Sequence, residues 1–152
     1  MKKVLVALDN YDNYHLIARK GHELAKALRA QLALLHVFPD ILATSPDAFS
    51  SLYSTISTVD IDIDMKLREQ LKAESEKFLN KVKSELEDEK AEIFTAEGDV
   101  ATAILETAAS CKADIIVMGS HSRRGIEKIL MGDVTKQVLK HSRLPLFIIP
   151  VR

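Results

Sequence analysis

The chain has no tryptophan, one cysteine, four prolines and five glycines among its 152 residues, and aromatic side chains make up only 5% of it. A single cysteine, Cys111, allows no internal disulfide, which excludes a disulfide-stapled scaffold and fits a reducing compartment, the cytosol. So little glycine and proline excludes a collagen-like or low-complexity chain. Neither sign of charge dominates: 21 Lys and Arg face 22 Asp and Glu, for a net charge of −1, so the basic surplus of a nucleic-acid coat is missing. No apolar run approaches the roughly 20 residues of a membrane helix, so no membrane role is expected. Several catalytic signatures are also missing. There is no phosphate loop of the G-x-x-x-x-G-K-[ST] type and no G-x-G-x-x-G after the first apolar run. There is no G-x-S-x-G nucleophile elbow, no Cys–His pairing and no His-x-Gly-His. A dedicated enzyme is therefore not indicated.

What is present describes one ordinary globular domain over residues 1–152: 47% hydrophobic and 28% charged residues. A chain of this size buries about two-thirds of its unfolded surface and needs no staples. Met1-Lys2-Lys3 leads into Val4-Leu5-Val6-Ala7-Leu8, which stops at Asp9. That run is too short for a leader and reads as a buried first strand.

The pattern alternates strand and helix. Val4–Leu8 is aliphatic on both faces, as central parallel strands are. Asp9–Asn13 is rich in turn and cap residues, and Ile17, Gly21, Leu24, Ala25 and Leu28 recur at helical spacing. Gln31–Val37 is the second strand. Phe38–Asp60, with Pro39, Pro46 and many Ser and Thr, reads as a long, mobile loop. Leu67, Leu71, Phe78, Leu79, Val82 and Leu86 predict a long amphipathic helix whose charged face is solvated. Ala91–Glu97 is the third strand. Asp99 is placed to cap a helix carrying Val100, Ala101, Ile104, Leu105 and Ala108. Asp114–Gly119 is the fourth strand. A short helix is expected near Ile126–Leu130, a longer one over Asp133–His141, and a fifth strand at Leu146–Ile149. The expected fold is α/β, an open, twisted, mainly parallel sheet with helices on both faces. Ligands of such sheets bind at the carboxyl ends of strands, which selects Leu8-Asp9-Asn10, Val37-Phe38-Pro39 and the stretch from Gly119 onward.

That last stretch reads Gly119-Ser120-His121-Ser122-Arg123-Arg124-Gly125, with Gly132-Asp133-Val134-Thr135 beyond it. A glycine-containing loop after a strand brings amides close to phosphate, and a helix start adds unpaired donors. Ser120, Ser122 and Thr135 offer hydroxyls; Arg123, Arg124 and Lys128 offer cations. The glycines alone are equally readable as turn residues.

The spacing is more specific than its parts. Gly119, two residues, Ser122, nine residues, then Gly132-Asp133 resembles the C-terminal signature of the universal stress protein family, in which three glycines stand at this spacing and Ser or Thr follows the last. The rest of the chain is similar too, in KKVLVALD, LALLHV, EGDVATAILETA and ADIIVMGSHS. The resemblance implies a Rossmann-like, adenine nucleotide alpha hydrolase-like sheet of five parallel strands in order 3-2-1-4-5. It also implies a homodimer formed through the last strand, Leu146–Val151, and a cytosolic stress-response role. Some members bind ATP and others do not. By position, Ala7, Leu8 and Asp9 would contact adenine and ribose, and Val37 would contact adenine. Met118, Gly119, Ser122, Arg123, Gly132, Asp133, Val134 and Thr135 would line ribose and phosphates. The implied ligand is ATP or another adenine nucleotide, ADP or AMP, with Mg²⁺ or Mn²⁺ accompanying the phosphates.

Two positions depart from the family pattern. Ser122 replaces a glycine, which costs something wherever the backbone needs positive φ. Asp133 stands where ATP binders carry a hydroxyl. A carboxylate about 5 Å from a phosphate charge repels it by roughly 3 kcal/mol at an effective dielectric near 20. Asp133 therefore either caps the last helix or reaches phosphate through a bridging metal ion. Asp9 has two readings as well: a ribose or cation ligand, or a cap of the first helix and its preceding turn.

The remaining candidates read as structural. Tyr11 and Tyr14 cover the sheet edge or the cleft. His36 is a core or cleft-wall residue, and His121 is either a ligand contact or a surface residue. His15, His22 and His141 show no metal spacing, and Cys111 is a small buried residue. Two functions remain open: a dimeric regulator that binds an adenine nucleotide, and a nucleotide-free interaction module that works through protein partners. A slow ATPase or autophosphorylating activity is a third, weaker reading, for which no base can be named.

Overall fold

The computed structural model describes residues 2–9, 13–38, 61–120 and 131–151. Most of the loop expected over Phe38–Asp60, the short helix near Ile126–Leu130, and Tyr11, His121, Ser122, Arg123, Arg124 and Lys128 lie outside the described residues.

Among the described residues nine elements alternate: β1 (Lys3–Leu8), α1 (Tyr14–Leu28), β2 (Gln31–Phe38), α2 (Ile61–Glu85), β3 (Glu92–Glu97), α3 (Val100–Ser110), β4 (Ile115–Gly119), α4 (Asp133–His141) and β5 (Leu146–Ile149). The five strands form one sheet in the order β3-β2-β1-β4-β5, every pair parallel. Phe38 belongs to β2 rather than to the following loop; it pairs with Glu97 and is buried.

Successive strand residues point to opposite faces, so each strand feeds two cores. On one face Val4, Val6, Leu8, Leu32, Leu34 and Val117 pack under α1 and α2. On the other Leu5, Ala33, Leu35, Ile116 and Met118 pack under α3 and α4. This double coverage is why β1, β2 and β4 read as unbroken apolar runs. Each fully buried aliphatic side chain contributes about 1.5–3 kcal/mol, and the largest of them, such as Leu5, Leu34, Leu35, Leu79, Ile104 and Ile116, lie on β1, β2, β4 or the helices packed over them.

Helix α1 lies close against the centre of the sheet at Gly21, where a β-carbon would collide with Val6 Cγ2. Its C-cap, Arg29, takes the left-handed conformation at φ 52°, and the Arg29 and Ala30 amides close the last turn onto Lys26 O and Ala25 O. Helix α2 buries Ser75, Phe78, Leu79 and Val82, whereas Met65 and Leu67, nearer its start, are exposed. The stripe expected from Leu67 onward thus meets the core only from Ser75. The charged face of α2 is not purely solvated: Arg68 Nε lies 3.3 Å from Glu97 at the end of β3.

Polar contacts join α1 to the end of α2 and to the turn that follows it. His15 Nδ1 lies 3.3 Å from Glu85 Oε2, and His22 Nε2 lies 3.3 Å from Asp88 Oδ2. Tyr14 packs edge-on against Phe78 with ring centroids 5.0 Å apart. Tyr14 is thereby a core residue of this face. No helix among the described residues is long and apolar enough to cross a membrane.

Candidate functional site

Strand order reverses between β1 and β4: the chain leaves β1 toward β2 on one side and later returns to β4 on the other. Connections diverge there, so a crevice opens beyond the carboxyl ends of the two strands. The crevice is lined by Ala7 and Leu8 from β1 and Asp9 just after it, Leu35 and Val37 from β2, and Met118 and Gly119 from β4. Three helices add Ile17, Val100, Ile104, Val134 and Thr135. It is an open crevice, with about 450 Å³ of atom-free space that includes the solvent at its mouth. The lining side chains are apolar apart from Asp9 and Thr135.

Eight of the twelve residues selected from the sequence line this crevice: Ala7, Leu8, Asp9, Val37, Met118, Gly119, Val134 and Thr135. Ser122 and Arg123 lie outside the described residues. Gly132 and Asp133 stand one turn's edge away, at the start of α4. The sequence reading missed Ile17, Leu35, Val100 and Ile104. The signal was available in part, because in a parallel α/β unit the helix that follows a strand begins at that strand's carboxyl end. First-turn residues such as Ile17, Val100 and Val134 therefore border the crevice.

Gly119 is a glycine for a steric reason. A β-carbon there would lie 2.7 Å from Ile17 Cδ1 and 3.0 Å from Val151 Cγ2. Among the described residues the only glycine with positive φ is Gly98, so Gly119 needs room rather than an unusual backbone.

The hydroxyls at Ser120 and Thr135 face inward rather than into the crevice. Thr135 is 2% exposed, and its Oγ1 donates to Gly119 O at 3.1 Å and Ser120 O at 3.3 Å. Ser120 Oγ accepts from Val151 N at 3.0 Å, while Gly132 N donates to Ser120 O at 2.8 Å. These bonds fasten the start of α4 and the exit of β5 to the end of β4. What α4 offers a ligand is its main chain. The first-turn amides of Asp133, Val134 and Thr135 have no intrahelical acceptor, since the first helical bond runs from Lys136 N to Gly132 O, 3.0 Å.

Both helix-cap readings of the aspartates need correction. The N-cap of α4 is Gly132, at φ −61° and ψ 158°; Asp133 is the first helical residue, exposed, and caps no amide. Its carboxylate sits favourably at the positive end of the helix dipole without a capping bond. The N-cap of α1 is Asn13 rather than Asp9; Asp9 lines the crevice, half-buried, and most of the turn it was expected to order lies outside the described residues. The expected cap at Asp99 is present. Its Oδ2 accepts from Thr102 N at 3.0 Å and from Thr102 Oγ1 at 2.7 Å, and these two bonds hold its carboxyl below the usual range.

His36 lies outside the crevice lining, on the α1/α2 face. Its Nδ1 is 2.6 Å from Ser75 Oγ and its ring meets Phe78 edge-on; burial lowers its pKa. Cys111 ends α3, buried, with its thiol pKa raised mainly by burial. Among the described residues no three His, Cys, Asp or Glu side chains gather as metal ligands. A divalent ion accompanying a nucleotide would rely on the phosphates together with Asp9 or Asp133.

A family model, that of the universal stress protein family, matches residues 1–150. The chain belongs to the universal stress protein family. The universal stress protein MJ0577 of Methanocaldococcus jannaschii is 30% identical to it over 153 residues, covering 97% of this chain and 94% of the relative. The universal stress protein YxiE of Bacillus subtilis is 30% identical over 149 residues, covering 97% of each. Among solved structures, MJ0577 superposes with a TM-score of 0.72 at 24% identity, over 99% of this chain and 96% of that one. A universal stress protein solved in complex with cAMP superposes with a TM-score of 0.61 at 19% identity, over 98% and 96%. These neighbours share the parallel five-stranded, Rossmann-like sheet, in which this universal stress protein carries its crevice between β1 and β4.

Proposed function

We propose that this universal stress protein binds an adenine nucleotide as a regulatory ligand in the β1/β4 crevice, as a cytosolic homodimer in a stress response. One observation carries the reading: the crevice at the strand-order reversal joins an apolar slot, made by Ala7, Leu35, Val37, Ile104 and Met118, to the open amides at the start of α4. The slot suits a purine and the amides suit ribose or phosphate oxygens. Asp9, at the end of β1, is the group for a ribose hydroxyl. The structural neighbour in complex with cAMP supports an adenine ligand for this fold. Residues Ser122 and Arg123 belong to the proposed site by their place in the sequence pattern.

Dimerisation is proposed through β5. It is an edge strand, with Phe147 exposed at 42%, and an apolar strand edge is a template for a second chain. The cytosolic assignment rests on Cys111, a single buried thiol.

The test is calorimetric titration of ATP, ADP and AMP into nucleotide-stripped protein, with and without Mg²⁺. Micromolar binding of any of them supports the reading; no heat up to millimolar in either condition contradicts it. A nucleotide-free interaction module is the second reading, favoured by the exposed Asp133 carboxylate at the start of α4. Under that reading Asp133→Ser creates nucleotide binding where the wild type has none.

A further inference from the structure

Helix α2 is anchored unevenly along its length. Its described side chains are buried only from Ser75 onward, at Ser75, Phe78, Leu79 and Val82, while Met65 and Leu67 near its start are exposed. The far end is pinned to α1 by His15 against Glu85 and, in the turn that follows, by His22 against Asp88. Tyr14 packs on Phe78 beside these pins. An imidazole N–H can donate to a carboxylate whether the ring is neutral or protonated, so the pins persist in mild acid.

The first buried anchor met from the other end responds differently. Ser75, 2% exposed, places its Oγ 2.6 Å from His36 Nδ1, and the His36 ring meets Phe78 edge-on. A serine hydroxyl both donates and accepts, so a proton on His36 leaves this bond possible and changes the charge. That charge lies against Phe78, with Leu8 of β1 and Thr95 of β3 as its neighbours across the sheet. Among the described residues, the elements packed around it bring Arg68 of α2, which lies against Glu97 of β3, and, around Tyr14, Lys81 of α2 and His15 of α1. A buried charge costs far more than a buried neutral ring, and burial lowers the His36 pKa accordingly.

We propose that His36 and Ser75 form an acid-sensitive latch: a proton on His36 releases α2 from its start through Ser75, about a hinge at its pinned far end, while the sheet stays folded. Local opening of this kind draws on the least anchored part of a fold. It uncovers the carboxyl ends of β2 and β3, over which α2 packs. The latch is independent of which ligand the crevice takes.

The experiment is native-state amide hydrogen exchange on the full chain at pH 7.0 and 5.5, corrected for the intrinsic effect of pH, in the wild type, His36→Gln and Ser75→Ala. In the wild type the amides of Leu71–Ser75 are expected to open more often than those of Val4–Val6, which report global unfolding. Their opening constant is expected to rise about threefold to tenfold at the lower pH, since one proton gives at most about tenfold per pH unit. His36→Gln is expected to abolish that rise. Ser75→Ala, which keeps the titrating ring, is expected to raise opening about fivefold at pH 7.0 and to retain the rise. Exchange of Leu71–Ser75 only at the rate of Val4–Val6 would overturn the proposal, as would a rise that survives His36→Gln or is lost in Ser75→Ala.

Discussion

Thr135 Oγ1 donates to the carbonyl oxygen of Gly119 at 3.1 Å, joining the first turn of the last helix to the end of β4 across 16 residues of sequence. The same hydroxyl lies 3.3 Å from Ser120 O. A side chain that resembles a phosphate donor in the sequence is a strut that sets where the α4 amides stand. Thr135→Val keeps the shape and removes the strut. It is expected to lower stability by about 1–2 kcal/mol, because it leaves a buried carbonyl short of its donor. Thr135→Ser, which keeps the hydroxyl, is expected to retain the bond. Urea denaturation of the three proteins measures the difference.

Gly119 predicts a coupled pair. Gly119→Ala drives its methyl into Ile17 Cδ1, 2.7 Å away, and Val151 Cγ2, 3.0 Å away. Such overpacking costs about 1–3 kcal/mol. Ile17→Val removes Cδ1, so the double variant is expected to be more stable than the sum of the single effects by about 0.5 kcal/mol or more. Strict additivity in denaturant melts would place the strain elsewhere.

His36 predicts a pH dependence of known sign. Burial lowers its folded-state pKa below the ordinary 6.5. The unfolded chain therefore binds the proton more readily than the folded one. Stability from this group is fully present above about pH 6.5 and declines as the pH falls through that value toward the folded-state pKa. His36→Gln is expected to flatten this part of the stability profile. A slope that persists unchanged between pH 7 and pH 5 would assign it to other groups.

Asp99 predicts the cost of a lost cap. Asp99→Ala removes both bonds to Thr102 and is expected to cost about 0.5–2 kcal/mol. Its carboxyl pKa is lowered in the fold, so the contribution is present above the unfolded pKa of about 3.9 and lost as the pH falls below it. The wild type and variant are expected to converge in stability in acid, measured by thermal melts from pH 6 to pH 2.5.

The strands were legible because their apolar runs are set by burial on both faces, as at Val4–Leu8 and Ile115–Gly119. The crevice was legible at its strand ends for the same reason, and the glycine spacing led to Gly119, Val134 and Thr135. What was not legible depended on direction and distance. Thr135 carries a hydroxyl in the sequence, but only the fold determines that it points at Gly119 O. Asp133 and Asp9 are good capping residues by type, yet helix starts fell one residue earlier at Gly132 and later at Asn13. The contacts of His15 with Glu85 and His22 with Asp88 span about 70 residues of sequence and leave no local pattern. Ile17 and Ile104 looked like core residues at helical spacing, and each is one, while also forming the crevice wall.

The most direct test of the account locates the ligand rather than only detecting it. Amide chemical shifts of ¹⁵N-labelled protein would be followed during titration with AMP. The account predicts saturable shifts concentrated at Leu8, Asp9, Val37, Gly119, Val134 and Thr135, around the crevice between β1 and β4. Shifts absent at millimolar AMP, or gathered on β5 or the α1/α2 face with the crevice amides unmoved, would contradict it.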